Sequence, residues 1–512
     1  MARLWRFSMT LILVVRYFAQ NAPADYQQPY RPQFHFSPRE HWTNDPNGVV
    51  FFEGEYHLFY QYNPFGDVWG HMSWGHAVSR DLLHWQELPV ALSEENGIMI
   101  FTGSTVVDEF NTSGFCADGK PCLVAVYTGH TPEDGGHRAL QTQNLAYSND
   151  RGRTWTKYRD NPVLNLNASD FRDPDVFWSK QARRWVMVVA LPNDHKVLFY
   201  GSSNLKNWEQ LSAFGPAGAT DGQWECPTMV ELPLDATKRT RWVLKVGLNP
   251  GALQGGSGEQ YFVGTFDGTR FVNDNPPATT LWTDHGKDCY CALAFNGTER
   301  RGDRVMIGWM NNWQYAGKVP TKPWRGQMTV PRSLALATLP EGVRLVQRPV
   351  EAIAQLRDKH VGWRGTSLTE LNRILHTEHY SSFELETTVA RVAGGTIGWK
   401  LLAGDGASIE IGYDGARSEL FVDRTHSGVV GFSRDFPART AAPLAIGGAP
   451  LSMTILVDRS TVEMFAQGGR VAMTNLVYPL AGADGIELYS RGERPGQITV
   501  DLWSLRSTWP PN

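Results

Sequence analysis

The chain has 512 residues, of which 12% are aromatic and 19 are tryptophan, and a formal net charge of −4 with acidic and basic residues mixed throughout. That length is enough for about two to three domains with a large core. No basic stripe runs through it, which speaks against nucleic acid and anionic membrane as partners.

At the N-terminus, Arg3 and Arg6 precede a short apolar run from Phe7 to Val15, and Ala22-Pro23-Ala24 fits the small-x-small pattern of a cleavage site. Residues 1–24 therefore read as a secretory signal peptide. It is interrupted by Arg16 and too short to span a membrane, and it predicts a secreted or periplasmic protein.

Next comes NDPNG, residues 44–48, which reads as a turn. Pro46 presets φ and Gly48 accepts positive φ, so the string would introduce the strand VVFF. Beyond it helical periodicity is scarce. Short β-type runs such as VVFFEGEYHLFYQY, CLVAVYTG, TRWVLKVGLN and DRVMIGWMNNW alternate with Gly, Asn, Asp and Pro. Glu53-Gly54 suits a two-residue hairpin connection.

A repeat runs through this half. SRDLLHWQEL, SNDRGRTWTKY and SSNLKNWEQL each set a Ser-x-Asp/Asn turn ahead of Trp85, Trp155 and Trp208. The second resembles the Asp-box of β-propellers, and GTFDGTRFV is a weaker fourth copy. Recurrence at blade-sized intervals predicts a β-propeller over residues 33–343, five-bladed once the strand openings below are counted. A polar, partly helical linker follows at 344–360. The alternating runs SSFELETTVARV, ASIEIGYD and LSMTILVDRSTVEMF then predict an antiparallel β-sandwich over 361–510. The fold class is all-β.

Five cysteines are scattered, without metal-type clustering beside histidines. Cys116 and Cys122 bracket the turn-prone ADGKP, a loop that could close as a small disulfide if the protein is exported, and the sequence alone does not decide it. Cys289 and Cys291 flank Tyr290 on alternating positions of one expected strand face. These two and Cys226 read as free buried thiols. Asn111, Asn167 and Asn296 begin N-x-S/T sequons.

Three acids stand in unusual settings: Asp45 in WTNDPNG, Asp173 in FRDPDVFW and Glu225 in QWECPTMV. Each sits at or near the start of an apolar strand that opens a repeat. Such strands line a propeller's channel, so the three would converge at one mouth. FTGS (Phe101 to Ser104) and Asp288 in GKDCYCALAF supply the two remaining openings. Converging carboxylates repel and would destabilise a purely structural site. A binding site for a cation or for sugar hydroxyls could also use them, but two carboxyl groups flanking a bond are a more specific arrangement for glycoside cleavage.

WTNDPNG, YQYNP, WGHA, FTGS, FRDP, WECP and WMNNWQYAGKVPTKPWRGQMTVPR, in that order, resemble glycoside hydrolase family 32, the family of invertases, inulinases and levanases. The resemblance continues weakly into the second half with DRSTVEMF. It implies a five-bladed propeller followed by a sandwich, with Asp45 as nucleophile, Glu225 as general acid/base and Asp173 as the residue that holds two fructose hydroxyls and stabilises the transition state. It further implies a fructosyl pocket lined by Trp42, Asn44, Gln61, Trp69, Phe101, Thr102, Ser104, Arg172, Cys226 and Trp324. Thr102 stands where serine is common, and Cys289 and Cys291 stand where relatives more often carry aromatic or small residues. Arg172 is expected to keep Asp173 ionised and oriented.

The function so implied is release of fructose from the non-reducing end of inulin, levan or sucrose by a retaining double displacement, with no metal and no organic cofactor. The partner is a carbohydrate, not nucleic acid or membrane, and the protein is expected to be a monomer or homodimer. A fructosyltransferase would share the same acids and differ in its acceptor. An inverting arabinan- or xylan-cleaving propeller would lack WTNDPNG and WECP. A fructan-binding lectin would have lost one of the acids.

Overall fold

The structure, a computed structural model, describes residues 26–510 apart from 137, 393 and 493. The signal peptide expected at 1–24 lies outside the described residues. Among the described residues no helix is long and apolar enough to cross a membrane.

Five antiparallel sheets succeed one another along residues 41–349. Their innermost strands are His41–Phe52, Met99–Asp108, Arg172–Ser179, Gln223–Pro233 and Tyr290–Ala294. Each packs against the next and the fifth returns against the first, so this domain is a β-propeller. The short strand Trp324–Arg325 pairs in parallel with His41 and Trp42 and so latches the last part of the ring onto the first sheet. Asn296 is committed to the same framework, because its Nδ2 donates to the carbonyls of Thr105 and Val176 on two other innermost strands.

The repeat read from sequence forms the turn between the third and fourth strands of four sheets. Asp150 accepts from the backbone N–H and the hydroxyl of Thr154, while Gly152 N–H donates to Ser148. Asp81, Asn204 and Asp267 accept backbone N–H groups in the same way, from Leu83 and His84, Lys206 and Asn207, and Thr269 and Arg270. Trp155 and Trp208 then donate their indole N–H back to Gly152 and Leu205 carbonyls. Side-chain acceptors thus satisfy the backbone donors that the turn leaves without ladder partners. Glu53-Gly54 forms the expected hairpin connection, with both φ values positive and Phe52 paired to Glu55.

NDPNG is not a turn ahead of a strand. It lies inside the strand His41–Phe52, whose pairing register shifts between Thr43 and Pro46 and again between Asn47 and Val50. Proline and glycine are tolerated where a bulge has already removed ladder hydrogen bonds. Gly48 has φ +53°, and a Cβ there would lie 2.5 Å from Thr105 Oγ1, so packing and backbone both demand glycine.

Residues 344–360 are not a loose linker either. Residues up to 349 belong to the strand Gly342–Pro349, in which Leu345 pairs with Leu336 and is buried. The helical part is one 3-10 stretch, Glu351–Leu356, and Arg357–Gly365 is already a strand of the next domain. The polar Gln347 that disguised the strand is itself buried and donates to Thr283.

The second domain stacks a six-stranded sheet on a five-stranded sheet. Leu385, Ile455 and Met464 of the first meet Trp399, Ile411 and Leu488 of the second in one buried core. The α-helix among the described residues, Leu368–Leu375, is capped by Ser367, which accepts the Glu370 N–H.

Buried charge joins the domains. His35 lies between Asp458 and Glu463, at 2.9 and 3.0 Å. Arg332 pairs with both Asp284 and Glu463. Asp288, expected at the channel mouth, accepts from Arg424 and Tyr315 in this same interface. Its partner Arg424 stands on the second domain, so an arginine remote in sequence has claimed the acid.

Candidate active site

All five innermost strands break register at the same point along their length. The shifts fall between Thr43 and Pro46, Ile100 and Gly103, Arg172 and Asp175, Glu225 and Thr228, and Tyr290 and Leu293. The residues so released are Asn44-Asp45, Phe101-Thr102, Asp173-Pro174, Cys226-Pro227 and Cys291-Ala292. A bulge frees a residue from the ladder and re-aims its side chain. Asp173, Cys226 and Cys291 have φ of 66°, 48° and 48°. Non-glycine residues in this left-handed region carry a cost of about 1 kcal/mol or more, and such strain gathers at functional sites.

The three acids meet around Cys226. Its N–H donates to Asp173 Oδ2 at 2.9 Å, and its sulfur lies 3.8 Å from Asp45 Oδ2. Asp45 Oδ2 also accepts from Thr102 Oγ1 at 2.7 Å, whereas Oδ1 has no hydrogen-bond partner among the described residues. Burial and the neighbouring Glu225 push the Asp45 carboxyl up to about 6, against the lowering effect of Thr102 and Asn44.

Asp173 is 5% exposed, and its own N–H donates to Thr128 Oγ1. Burial pushes its carboxyl up to about 7. The Arg172 guanidinium and the Cys226 N–H oppose that rise, while Glu225 and Asp45 add to it. Glu225 is gripped from two sides. Arg172 donates to Oε1 through Nε at 3.1 Å and Nη2 at 2.9 Å, and the Tyr290 hydroxyl donates to Oε2. Arg172 is fixed in turn by Asp170 at 2.9 Å and Gln223 at 2.9 Å. Burial works against its charge, but Glu225 and Asp173 more than compensate and raise its pKa. Arg172 therefore hydrogen-bonds to Glu225 and Asp170 rather than to Asp173, which it reaches through its field alone.

Against the acids packs an apolar floor that includes Trp42, Met72, Met99, Tyr290 and Trp309 together with Cys226 and Cys291. These two cysteines form a disulfide, so neither is a free thiol. The bulge at Cys291 breaks the alternation that would have put Cys289 on the same face. Cys289 is instead buried among the charges of Arg332, Asp284 and Glu463, and is the free cysteine among the described residues. Cys116 and Cys122 are bridged, which the sequence left undecided.

A profile of the Glycosyl hydrolases family 32 N-terminal domain matches residues 35–349, and a profile of the family 32 C terminal matches 350–504. The chain belongs to glycosyl hydrolase family 32. It is therefore a glycosidase. A levanase of Bacillus subtilis is 43% identical over 511 residues, covering 98% of this chain and 74% of the levanase. An extracellular exo-inulinase of Aspergillus awamori is 42% identical over 517 residues, covering 95% and 96%. The crystal structure of an exo-inulinase from the same species superposes with a TM-score of 0.87 at 40% identity, covering 95% of this chain and 100% of that one.

Around this family 32 site the other expected pocket residues fall into two groups. Trp42 donates its indole N–H to Asn44 Oδ1 at 2.7 Å and stacks on Trp313, 5.9 Å between centroids. Gln61 is buried and donates to Ile100 O. Trp69, 46% exposed, stands edge-on to Phe101, which stacks on His130 at 4.4 Å. Ser104 and Trp324 are held more deeply. Ser104 Oγ accepts the Val176 N–H, bridging two innermost strands. Trp324 is fully buried under the Arg31 guanidinium, 3.7 Å from its ring, and its indole N–H has no partner among the described residues. Sequence reasoning missed Tyr290, Asp170 and the Cys226–Cys291 pairing. Tyr290 lay in plain view between two cysteines, but only the cross-strand geometry gives it Glu225 as a partner.

Proposed function

We propose that the chain hydrolyses β-fructofuranosides, among them inulin, levan and sucrose, releasing fructose from the non-reducing end with retention of configuration. The single observation that carries this reading is the meeting of Asp45, Asp173 and Glu225, from three different innermost strands, around Cys226. The levanase and exo-inulinase relatives support the choice of substrates.

In this account Asp45, ionised, attacks the anomeric carbon of a terminal fructosyl unit and forms an ester. Glu225 gives its proton to the departing alcohol, then takes one from the water that cleaves the ester. Arg172 and Tyr290 hold the Glu225 carboxyl in the line of that proton transfer, and Asp173 accepts hydrogen bonds from two sugar hydroxyls. The unpartnered Oδ1 of Asp45 suits a group that waits for substrate. No step draws on a metal or an organic cofactor.

Five sheets, each with one bulged innermost strand, support a five-bladed propeller, and one closed mouth suits a single terminal sugar. The propeller domain is best drawn to Pro349, where its last strand ends, with the sandwich beginning at Arg357 and bracing it. The leader-like residues 1–24 and an extracellular relative support secretion. The test is product analysis on sucrose, inulin and levan. Fructose as the earliest product, abolished in Asp45→Asn and Glu225→Gln, is expected. Parent-rate cleavage by either variant would refute the assignment.

A further inference from the structure

The disulfide beside the site has no part in the chemistry just described, yet its Cys226 meets both Asp45 and Asp173. Cys226 follows Glu225 and Cys291 follows Tyr290, and Tyr290 donates to Glu225. The S–S bond thus runs beside that hydrogen bond, one residue further along each strand. The two strands belong to different sheets, and both are bulged at this level, so no backbone ladder ties them together here. A covalent link supplies what pairing cannot.

The link also changes what faces Asp45. Cys226 Sγ lies 3.8 Å from Asp45 Oδ2, within reach of an S–H···O contact. As a thiol it would donate to that carboxylate; bonded to Cys291, it has no proton to give. The other charged or polar groups that bear on Asp45 are Asn44 on its own strand and Thr102, Asp173, Glu225 and Tyr290, one from each of the remaining four.

We propose that the Cys226–Cys291 disulfide is a positioning element of the hydrolytic site, clamping the bulges that align Glu225 with Tyr290 and withholding a thiol donor from Asp45. The inference rests on the nucleophile assignment above. Reduction by a dithiol would deliver two electrons and two protons, break the S–S bond, leave two thiols and close the reductant to its cyclic disulfide.

The test compares pH profiles of kcat/KM on sucrose for the parent, Cys291→Ser and the double variant Cys226→Ala/Cys291→Ala. In Cys291→Ser the freed Cys226 thiol is expected to move the acidic limb down by roughly half a pH unit, because a hydrogen bond to the charged form favours it. Its kcat should fall several-fold with KM changed less than twofold. The double variant, which lacks both clamp and thiol, should lose kcat while its limb stays at the parental pH. If Cys291→Ser does not fold, Cys116→Ser/Cys122→Ser assayed before and after dithiol reduction gives the comparison, because Cys226–Cys291 is then the bond that opens. An acidic limb that does not move in Cys291→Ser would overturn the proposal even if kcat falls, since a merely structural link would do that. So would peptide mapping without reductant that finds both thiols free in the native protein. Asp45→Asn separates the two levels. Activity in that variant would sink the catalytic reading, whereas an inactive Asp45→Asn beside a parent-like Cys291→Ser would sink only the clamp.

Discussion

Tyr290 and Glu225, on neighbouring innermost strands of the propeller, are joined by a hydrogen bond from the phenol to Oε2, while Arg172 occupies Oε1. The carboxyl group proposed to pass a proton in both directions is therefore held at both oxygens. Replacing Tyr290 by Phe removes one hold and leaves the ring in the floor. Losing a hydrogen bond to a charged group is worth about 1.5–3 kcal/mol, so kcat on sucrose should fall about tenfold or more, with KM little changed. Steady-state kinetics on Tyr290→Phe checks this, and an unaltered kcat would remove Tyr290 from the mechanism.

Thr102 tunes the proposed nucleophile. Asp45 attacks only when ionised, and its carboxyl stands near 6 because burial outweighs the Thr102 hydroxyl. Thr102→Val keeps the volume and removes the donor, so the charged form loses support and the pKa rises. The acidic limb of kcat/KM should move up by about one pH unit. A limb unmoved in that variant would show that the titrating group is not Asp45.

Asp173 is expected to exchange stability for activity. Its folded-state pKa, about 7, exceeds the ordinary 3.8 because the carboxyl is buried. A group shifted upward contributes stability that is complete below pH 3.8 and disappears as pH rises through 7. Above pH 7 the charged carboxylate is thus a burden that Asn would lift. Asp173→Asn should melt higher at pH 8 by roughly a degree or two, show no such gain at pH 4, and lose activity by about a hundredfold or more. Thermal melts at the two pH values with parallel assays distinguish this from simple damage.

The domain interface loses stability in the same direction, but at higher pH. Burial disfavours the His35 imidazolium, but Asp458 and Glu463 on either side raise its pKa to about 9. Its stabilising contribution is complete below about 6.5 and fades as pH rises through 9. Arg332 also faces Glu463 and keeps that carboxylate charged throughout. His35→Ala should lower the melting temperature at pH 6 by several degrees and flatten the fall between pH 7.5 and 9.5, since breaking a buried ion pair costs about 3–5 kcal/mol. Melts across that range would decide it.

Much of this was legible in the sequence because it is local. The Ser-x-Asp/Asn turns bond to donors within five residues, so their repeat announced the sheets. Asp45, Asp173 and Glu225 each opened an apolar run, and their shared position in the repeat pointed to one mouth. What was not legible depends on register. NDPNG looked like a turn because proline and glycine suit turns and bulges alike, and only pairing with Glu55–Asn63 tells them apart. Strand alternation put Cys289 beside Cys291 until a bulge separated them. Asp288 found Arg424 across 136 positions, and no local pattern carries such a partnership.

The covalent fructosyl-enzyme on Asp45 is the central claim, and trapping it is the most direct measurement. Glu225→Gln should accept an activated β-fructofuranoside whose leaving group needs no acid, then stall for want of a base. Mass spectrometry of the quenched, digested protein should find one fructosyl residue on the peptide that contains Asp45. An active turnover mixture with no adduct, or an adduct on any other residue, would contradict the account.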